Sequence, residues 1–237
     1  MKLKQSALGV ALVLFAGAAT AASVDFRQEY KHEQESYASR FKVSGGVGNV
    51  YFGVEAKQNG NIFEDWRSGD NEFEIGYKYK INDKLYLQPG MPVTFSSTNV
   101  TYKPQIRVGY KFDSGLVAKF RYRHEFRYYQ EGSSTTGRDG NKYSSVNKSK
   151  LTANLDYKWN YWQFGLEGNY TEDFFNEIYK TGQNGQYDWD YNLKIGYKGK
   201  DWAWRPYVEF GNVNCSSSCS EDATRQLRSR VGITYSF

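Results

Sequence analysis

From Val24 to Phe237 the chain is written in short segments in which every second residue is apolar, and a period of two specifies half-buried β-strands rather than helices. Val24, Phe26 and Tyr30 alternate with Asp25, Arg27, Glu29 and Lys31, and Val50, Phe52, Val54 and Ala56 alternate with Tyr51, Glu55 and Lys57. Phe73, Ile75, Tyr77 and Tyr79 stand opposite Glu72, Glu74, Lys78 and Lys80. In the middle of the chain Tyr102, Ile106, Val108 and Tyr110 oppose Lys103, Gln105, Arg107 and Lys111, and Leu116, Ala118, Phe120, Tyr122 and Phe126 oppose Lys119, Arg121, Arg123 and Arg127. The last segment sets Leu227, Val231, Ile233, Tyr235 and Phe237 against Gln226, Arg228, Arg230 and Thr234. About twelve such strands are expected, each near the roughly 9–11 residues that a tilted strand needs to cross a bilayer.

The connections carry a second pattern. Those after even-numbered strands are tight, as at Gly45–Asn49, Asn82–Lys84, Asp113–Gly115, near Asn160 and at Gly199–Ala203. Those after odd-numbered strands are mostly longer and polar, notably Gln58–Asn71, Gln130–Ser149, Thr171–Gln186 and Asn214–Thr224. Short turns on one side and long loops on the other are the habit of outer-membrane barrels, whereas a soluble sandwich has no reason to sort loops by parity. Aromatic residues near strand ends, such as Tyr157, Trp159, Trp162, Trp189 and Tyr191, suit interfacial girdles. The expected fold is therefore all-β: one transmembrane antiparallel β-barrel, an up-and-down meander spanning residues 22–237 with no second domain. A mean hydropathy of −0.75 does not oppose this, because alternation cancels the signal in any averaging window.

The start of the chain has its own logic. Lys2 and Lys4 precede an apolar run from Ala7 to Ala19, and Ala19-Thr20-Ala21 has the small residues of a cleavage site. The run is shorter than the roughly 20 residues of a spanning helix. Residues 1–21 are expected to be a cleaved export signal. Removing Lys2 and Lys4 from the 31 basic residues leaves 29 against 26 acidic ones, so net charge alone says little.

Position says more. With the apolar face toward lipid, the polar face must line the lumen. Lys103, Arg107, Lys111, Lys119, Arg121, Arg123 and Arg127 then point inward from two neighbouring strands that carry one acidic residue of the same face, Glu125. Arg228 and Arg230 of the last strand, with Arg27 and Lys31 of the first, form a second basic track at the closure of the barrel. A basic lumen favours anions over cations, and the guanidinium fork suits carboxylates. The alternative is that these groups pair with Asp25, Glu29, Glu74, Glu125, Glu167 and Asp190 and merely fill the lumen.

Several stretches resemble the oligogalacturonate-specific porin family: Arg205-Pro206-Tyr207-Val208-Glu209-Phe210-Gly211-Asn212-Val213, the terminal Arg228 to Phe237, the opening Val24 to Tyr30, and the central Lys119-Phe120-Arg121-Tyr122-Arg123. The resemblance covers the whole mature chain. It implies a monomeric twelve-stranded barrel in the outer membrane, in contact with its lipids, that passes acidic oligosaccharides through an arginine-lined pore. It also implies that Phe237 serves as a signal to the barrel-assembly machinery. Cys215-Ser216-Ser217-Ser218-Cys219 does not belong to that pattern.

The remaining residues offer little rival chemistry. Cys215 and Cys219 fall in an external loop of an oxidising compartment, where a local disulfide is expected. A metal site there would need two more ligands and finds only Glu221 and Asp222 nearby. A serine hydrolase would need a histidine base. Of the two histidines, His32 ends the first strand and His124 faces lipid, where the expected neighbours (Pro104, Ile106, Leu151 and Ala153) include no serine. No phosphate loop, metal spacing or nucleic-acid module is present, so neither a cofactor nor a nucleic-acid partner is expected. A closed structural or adhesive barrel is the other alternative.

Overall fold

The computed structural model of the protein describes residues 21–237, apart from 62, 63, 66, 183, 216–218 and 220–223. All of the expected export signal except Ala21 lies outside the described residues. Twelve barrel strands run in chain order: β1 (Ala21–Lys31), β2 (Ser36–Val47), β3 (Val50–Asn59), β4 (Arg67–Tyr77, continued by Tyr79–Lys80), β5 (Leu85–Phe95), β6 (Asn99–Tyr102 and Gln105–Lys111), β7 (Val117–Tyr129), β8 (Ser145–Trp159), β9 (Trp162–Glu172), β10 (Tyr187–Tyr197), β11 (Trp204–Asn214) and β12 (Arg225–Ser236). Each pairs antiparallel with the next, and β12 returns to β1 from Ser23↔Ser236 to Lys31↔Arg228. The sheet is a closed up-and-down barrel, which leaves no open edge to strand backbone hydrogen bonds in lipid.

Burial is inverted relative to a water-soluble domain. Phe120, Leu155, Leu166, Val208 and Val231 are 37–58% exposed, while Gln105, Glu125, Asn169, Asn192 and Gln226 are only 3–7% exposed. The alternation puts the first set on the outer wall and the second in the lumen, so the apolar face can be satisfied only by a surrounding bilayer. Aromatic belts ring both rims. Trp162, Tyr197 and Trp202 cluster at the short-turn end, with Trp204, Tyr235 and Phe237 beside them. Tyr30 with Tyr37, Tyr170 with Tyr187, and Trp189 with Tyr191 lie at the long-loop end.

Two local devices shape the inner wall. Pro104 has no N–H to give the ladder, so β6 breaks there, and its carbonyl accepts the His124 N–H at 3.0 Å. Inward tyrosines lie flat across glycines of neighbouring strands: a Cβ at Gly76 would sit 2.3 Å from Tyr51 Cζ, and one at Gly232 would sit 2.4 Å from Tyr207 Cζ. Only glycine allows that approach. The expected turn Gly45–Asn49 is shorter than the sequence suggests, since β2 runs to Val47 and β3 resumes at Val50.

Candidate functional site

Inward parity gathers charge into one space. A cavity of about 720 Å³ in the lumen is lined, among the described residues, by thirteen basic and eight acidic side chains, including Arg27, Lys103, Arg107, Arg121, Arg123, Arg127, Arg228 and Arg230. Those are eight of the eleven basic residues expected on the inward face. Of the other three, Lys31 lines a cavity nearer the long loops, and Lys119 does not line this one. It sits near the start of β7, close to the short-turn mouth, and binds Asp156 of β8 at 2.6 Å. Parity placed it on the inner face, but its height along the strand puts it below the cavity. Lys111, last in β6, is exposed for the same reason.

In a ring of twelve strands, β7 lies across from β1. Arg107, Arg121 and Arg123 on β6 and β7 therefore face Arg27, Arg228 and Arg230 on β1 and β12. Part of this charge is neutralised. Arg230 Nε binds Glu29 Oε2 at 2.6 Å and its Nη1 binds Glu209; Arg40 binds Asp25 at 2.6 Å; Lys103 binds Glu72 at 2.8 Å; Lys148 binds Glu125 at 3.2 Å. Glu167 and Asp190, expected as partners for arginine, instead accept amide N–H bonds from Asn154 and Asn169, at 2.9 Å each.

Another part is held mainly by neutral groups. Arg107 Nη1 donates to Gln88 at 3.3 Å and Arg121 Nη2 to Thr152 at 2.9 Å. Arg123 Nε and Nη2 donate to the Gln105 carbonyl oxygen at 2.9 and 2.7 Å, and its Nη1 lies 3.9 Å from Glu125. Among the described residues no carboxylate lies in ion-pair range of Arg27, Arg107, Arg121, Arg127 or Lys150. Neutral amides and hydroxyls thus fix the forks of Arg107 and Arg121 while leaving their positive charge to the lumen. Pairing with carboxylates accounts for part of this wall, and among the described residues it does not reach Arg27, Arg107, Arg121, Arg127 or Lys150.

Arg40, Lys148 and Lys150 belong to the same lining and were missed by the sequence reading. Continuing the inward parity of β8 toward its start would have found the two lysines.

The histidine environment differs from the expected one. His124 faces Ser149 across the β7–β8 ladder, with Nδ1 3.3 Å from Ser149 Oγ, and Tyr122 rather than His124 is paired with Leu151. The expected register was two residues out, because parity fixes the face but not the pairing. A second serine, Ser229, has its Oγ 2.9 Å from His32 Nε2. Neither contact makes a triad. Ser149 is 0% exposed, Tyr122 OH shares the hydroxyl at 3.2 Å, and no carboxylate is bonded to either imidazole among the described residues. Asp173, at the start of the β9–β10 connection, accepts backbone N–H bonds on both oxygens instead.

Cys215 and Cys219 are joined, with Cα atoms 6.2 Å apart. No group of three or more His, Cys, Asp or Glu side chains among the described residues could hold a metal ion.

Comparison with known proteins agrees with this architecture. Residues 15–237 match the family model "Oligogalacturonate-specific porin protein (KdgM)". The oligogalacturonate-specific porin KdgM of Dickeya dadantii (strain 3937) is 31% identical over 250 residues, covering all of both chains. The N-acetylneuraminic acid outer membrane channel protein NanC of Escherichia coli (strain K12) is 28% identical over 138 residues, which is 55% of this chain and 58% of the relative. A solved structure of KdgM porin in complex with disordered oligogalacturonate superimposes with a TM-score of 0.64 at 26% identity, covering 91% of this chain and 99% of that one. A closed twelve-stranded barrel with a basic lumen and a match running through both of its ends places the chain in the oligogalacturonate-specific porin family.

Proposed function

We propose that this protein is a monomeric, water-filled outer-membrane channel that lets acidic oligosaccharides diffuse down their gradient. The observation that carries the reading is the pair of facing walls in which Arg27, Arg107, Arg121 and Arg127 have no carboxylate in ion-pair range among the described residues. Passage requires binding strong enough to draw the solute in and weak enough to release it. Arginines two residues apart, such as Arg121 and Arg123, or Arg228 and Arg230, offer a carboxylated chain successive, similar sites along the axis. The relatives named for oligogalacturonate and for N-acetylneuraminic acid both carry acidic sugars in their names, which supports a carboxylate on the solute rather than one particular ring.

On this reading residues 1–21 direct export and are removed, residues 22–237 form the barrel, and Phe237 is read by the barrel-assembly machinery. The outer wall meets lipid, and no cofactor or nucleic acid takes part. Catalysis is no part of the function, so replacing both His32 and His124 should leave conductance unchanged.

Planar-bilayer recording with galacturonate oligomers tests the substrate class. Reversible block at lower concentration than by neutral oligosaccharides of the same length is expected. Equal block by neutral and acidic chains would refute it. Comparing galacturonate with N-acetylneuraminic acid then ranks the sugars.

A further inference from the structure

The loop joining β9 to β10 does not stand clear of the barrel. Asp173, 1% exposed, pins its first turn: Oδ1 accepts the Asn176 N–H at 3.0 Å, and Oδ2 accepts those of Ile178 and Tyr179, both at 3.0 Å. Glu177 takes a left-handed conformation there, with φ of +54°. The pinned turn straddles the rim. On the outer side Phe174 stacks on Tyr170 at 6.2 Å and Phe175 meets the His124 ring at 5.3 Å.

On the inner side Tyr179 reaches the lumen wall. Its hydroxyl accepts Arg127 Nη1 at 3.4 Å, and its ring centroid lies 5.6 Å from the Arg127 guanidinium and 5.4 Å from Lys148 Nζ. Arg138 of the β7–β8 loop straps this stretch down, giving Nε to the Tyr179 carbonyl at 3.0 Å and Nη2 to the Gln186 carbonyl at 2.7 Å. Beyond Tyr179, Thr181 lines the central cavity. Thr181 also lines an outer cavity of about 410 Å³, together with Lys31, Lys180 and Arg228. Asp188 and Asp190 share the outer lining, leaving cations in excess there among the described residues. One short stretch therefore stands between the outside and the arginine walls, with cations on both faces.

We propose that Tyr179–Gly182 is the outer constriction of the channel and the site where an acidic sugar is first captured, with Tyr179 as the positioning residue and Lys180 as the contact. This rests on the channel reading above. Lys31, Lys180 and Arg228 outnumber Asp188 and Asp190 in the outer cavity, and Asp188 is itself paired with Arg225, which leaves cations for a carboxylate. An amphipathic aromatic held among charges keeps the loop in the mouth without closing it. Phe174 and Phe175, on the lipid side of the same turn, tie that position to the membrane interface.

The test records single channels of the full barrel with Tyr179→Ala, Arg138→Ala and Lys180→Ala, each checked for folding by its mobility in unheated gels. Releasing the loop with Tyr179→Ala or Arg138→Ala should raise single-channel conductance. Lys180→Ala should weaken block by galacturonate trimer added on the long-loop side by about tenfold, for loss of one charge-assisted contact, and Tyr179→Ala and Arg138→Ala should weaken it in the same direction by displacing that contact. Selectivity should stay on the anion side, because the arginine walls remain. If folded variants match an anion-preferring, galacturonate-blocked parent in conductance and block, this proposal is wrong while the channel reading stands. A parent with no anion-preferring current would remove the channel reading itself.

Discussion

Charge in this lumen divides by partner rather than by residue type. Arg230 sits between Glu29 and Glu209, whereas Arg121 rests on the Thr152 hydroxyl. Arg230→Met therefore leaves two carboxylates facing each other, and should lower stability by about 1–3 kcal/mol, less than in a dry interior because the lumen is wet. Arg121→Met strips no acid of its partner and should change stability by under about 1 kcal/mol. Urea unfolding of the lipid-reconstituted barrel, followed by tryptophan fluorescence, separates the two; equal losses would contradict the division. The sequence made the cations of each face legible because side-chain direction has a strict period of two. It did not reveal who pairs with whom. His124 was expected beside Leu151 and Ala153 and is found opposite Ser149, because register depends on turn geometry and hydrogen bonding that parity does not encode.

Among the elements, strands were legible and loops were not. The alternation around Phe120 or Val231 could be satisfied only in a two-faced sheet, but nothing periodic marks Asp173 as a pin or Tyr179 as an inward residue. The break of β6 at Pro104 was visible in principle, through the missing N–H. The inner wall adds a constraint of its own, since Tyr207 lies where a Gly232 side chain would be, next to the β12–β1 closure. Gly232→Val should destabilise the barrel, by about 1–3 kcal/mol typical of overpacking, and reduce the fraction that keeps its compact mobility in unheated gels. Gly168→Ala, where an added Cβ meets nothing within 4 Å, should fold like the parent. Equal behaviour of the two would show that the tyrosine–glycine contact does not matter.

For the molecule as a whole, the barrel answers two solvents at once. Its outer wall of exposed aromatics and aliphatics needs lipid, and its inner wall of fixed, partly unpaired cations needs water and anions. Lipid-face changes such as Phe120→Leu should leave conduction alone, while lumen changes should alter its sign or strength. Reversal potential across a salt gradient in a planar bilayer, read at about 0.1 M salt, where the screening length is near 10 Å, tests this most directly. The parent channel should reverse on the anion-preferring side, and Arg121→Glu with Arg123→Glu should move it toward cations. A parent channel that prefers cations, or a double reversal that leaves the potential unmoved, would contradict the account.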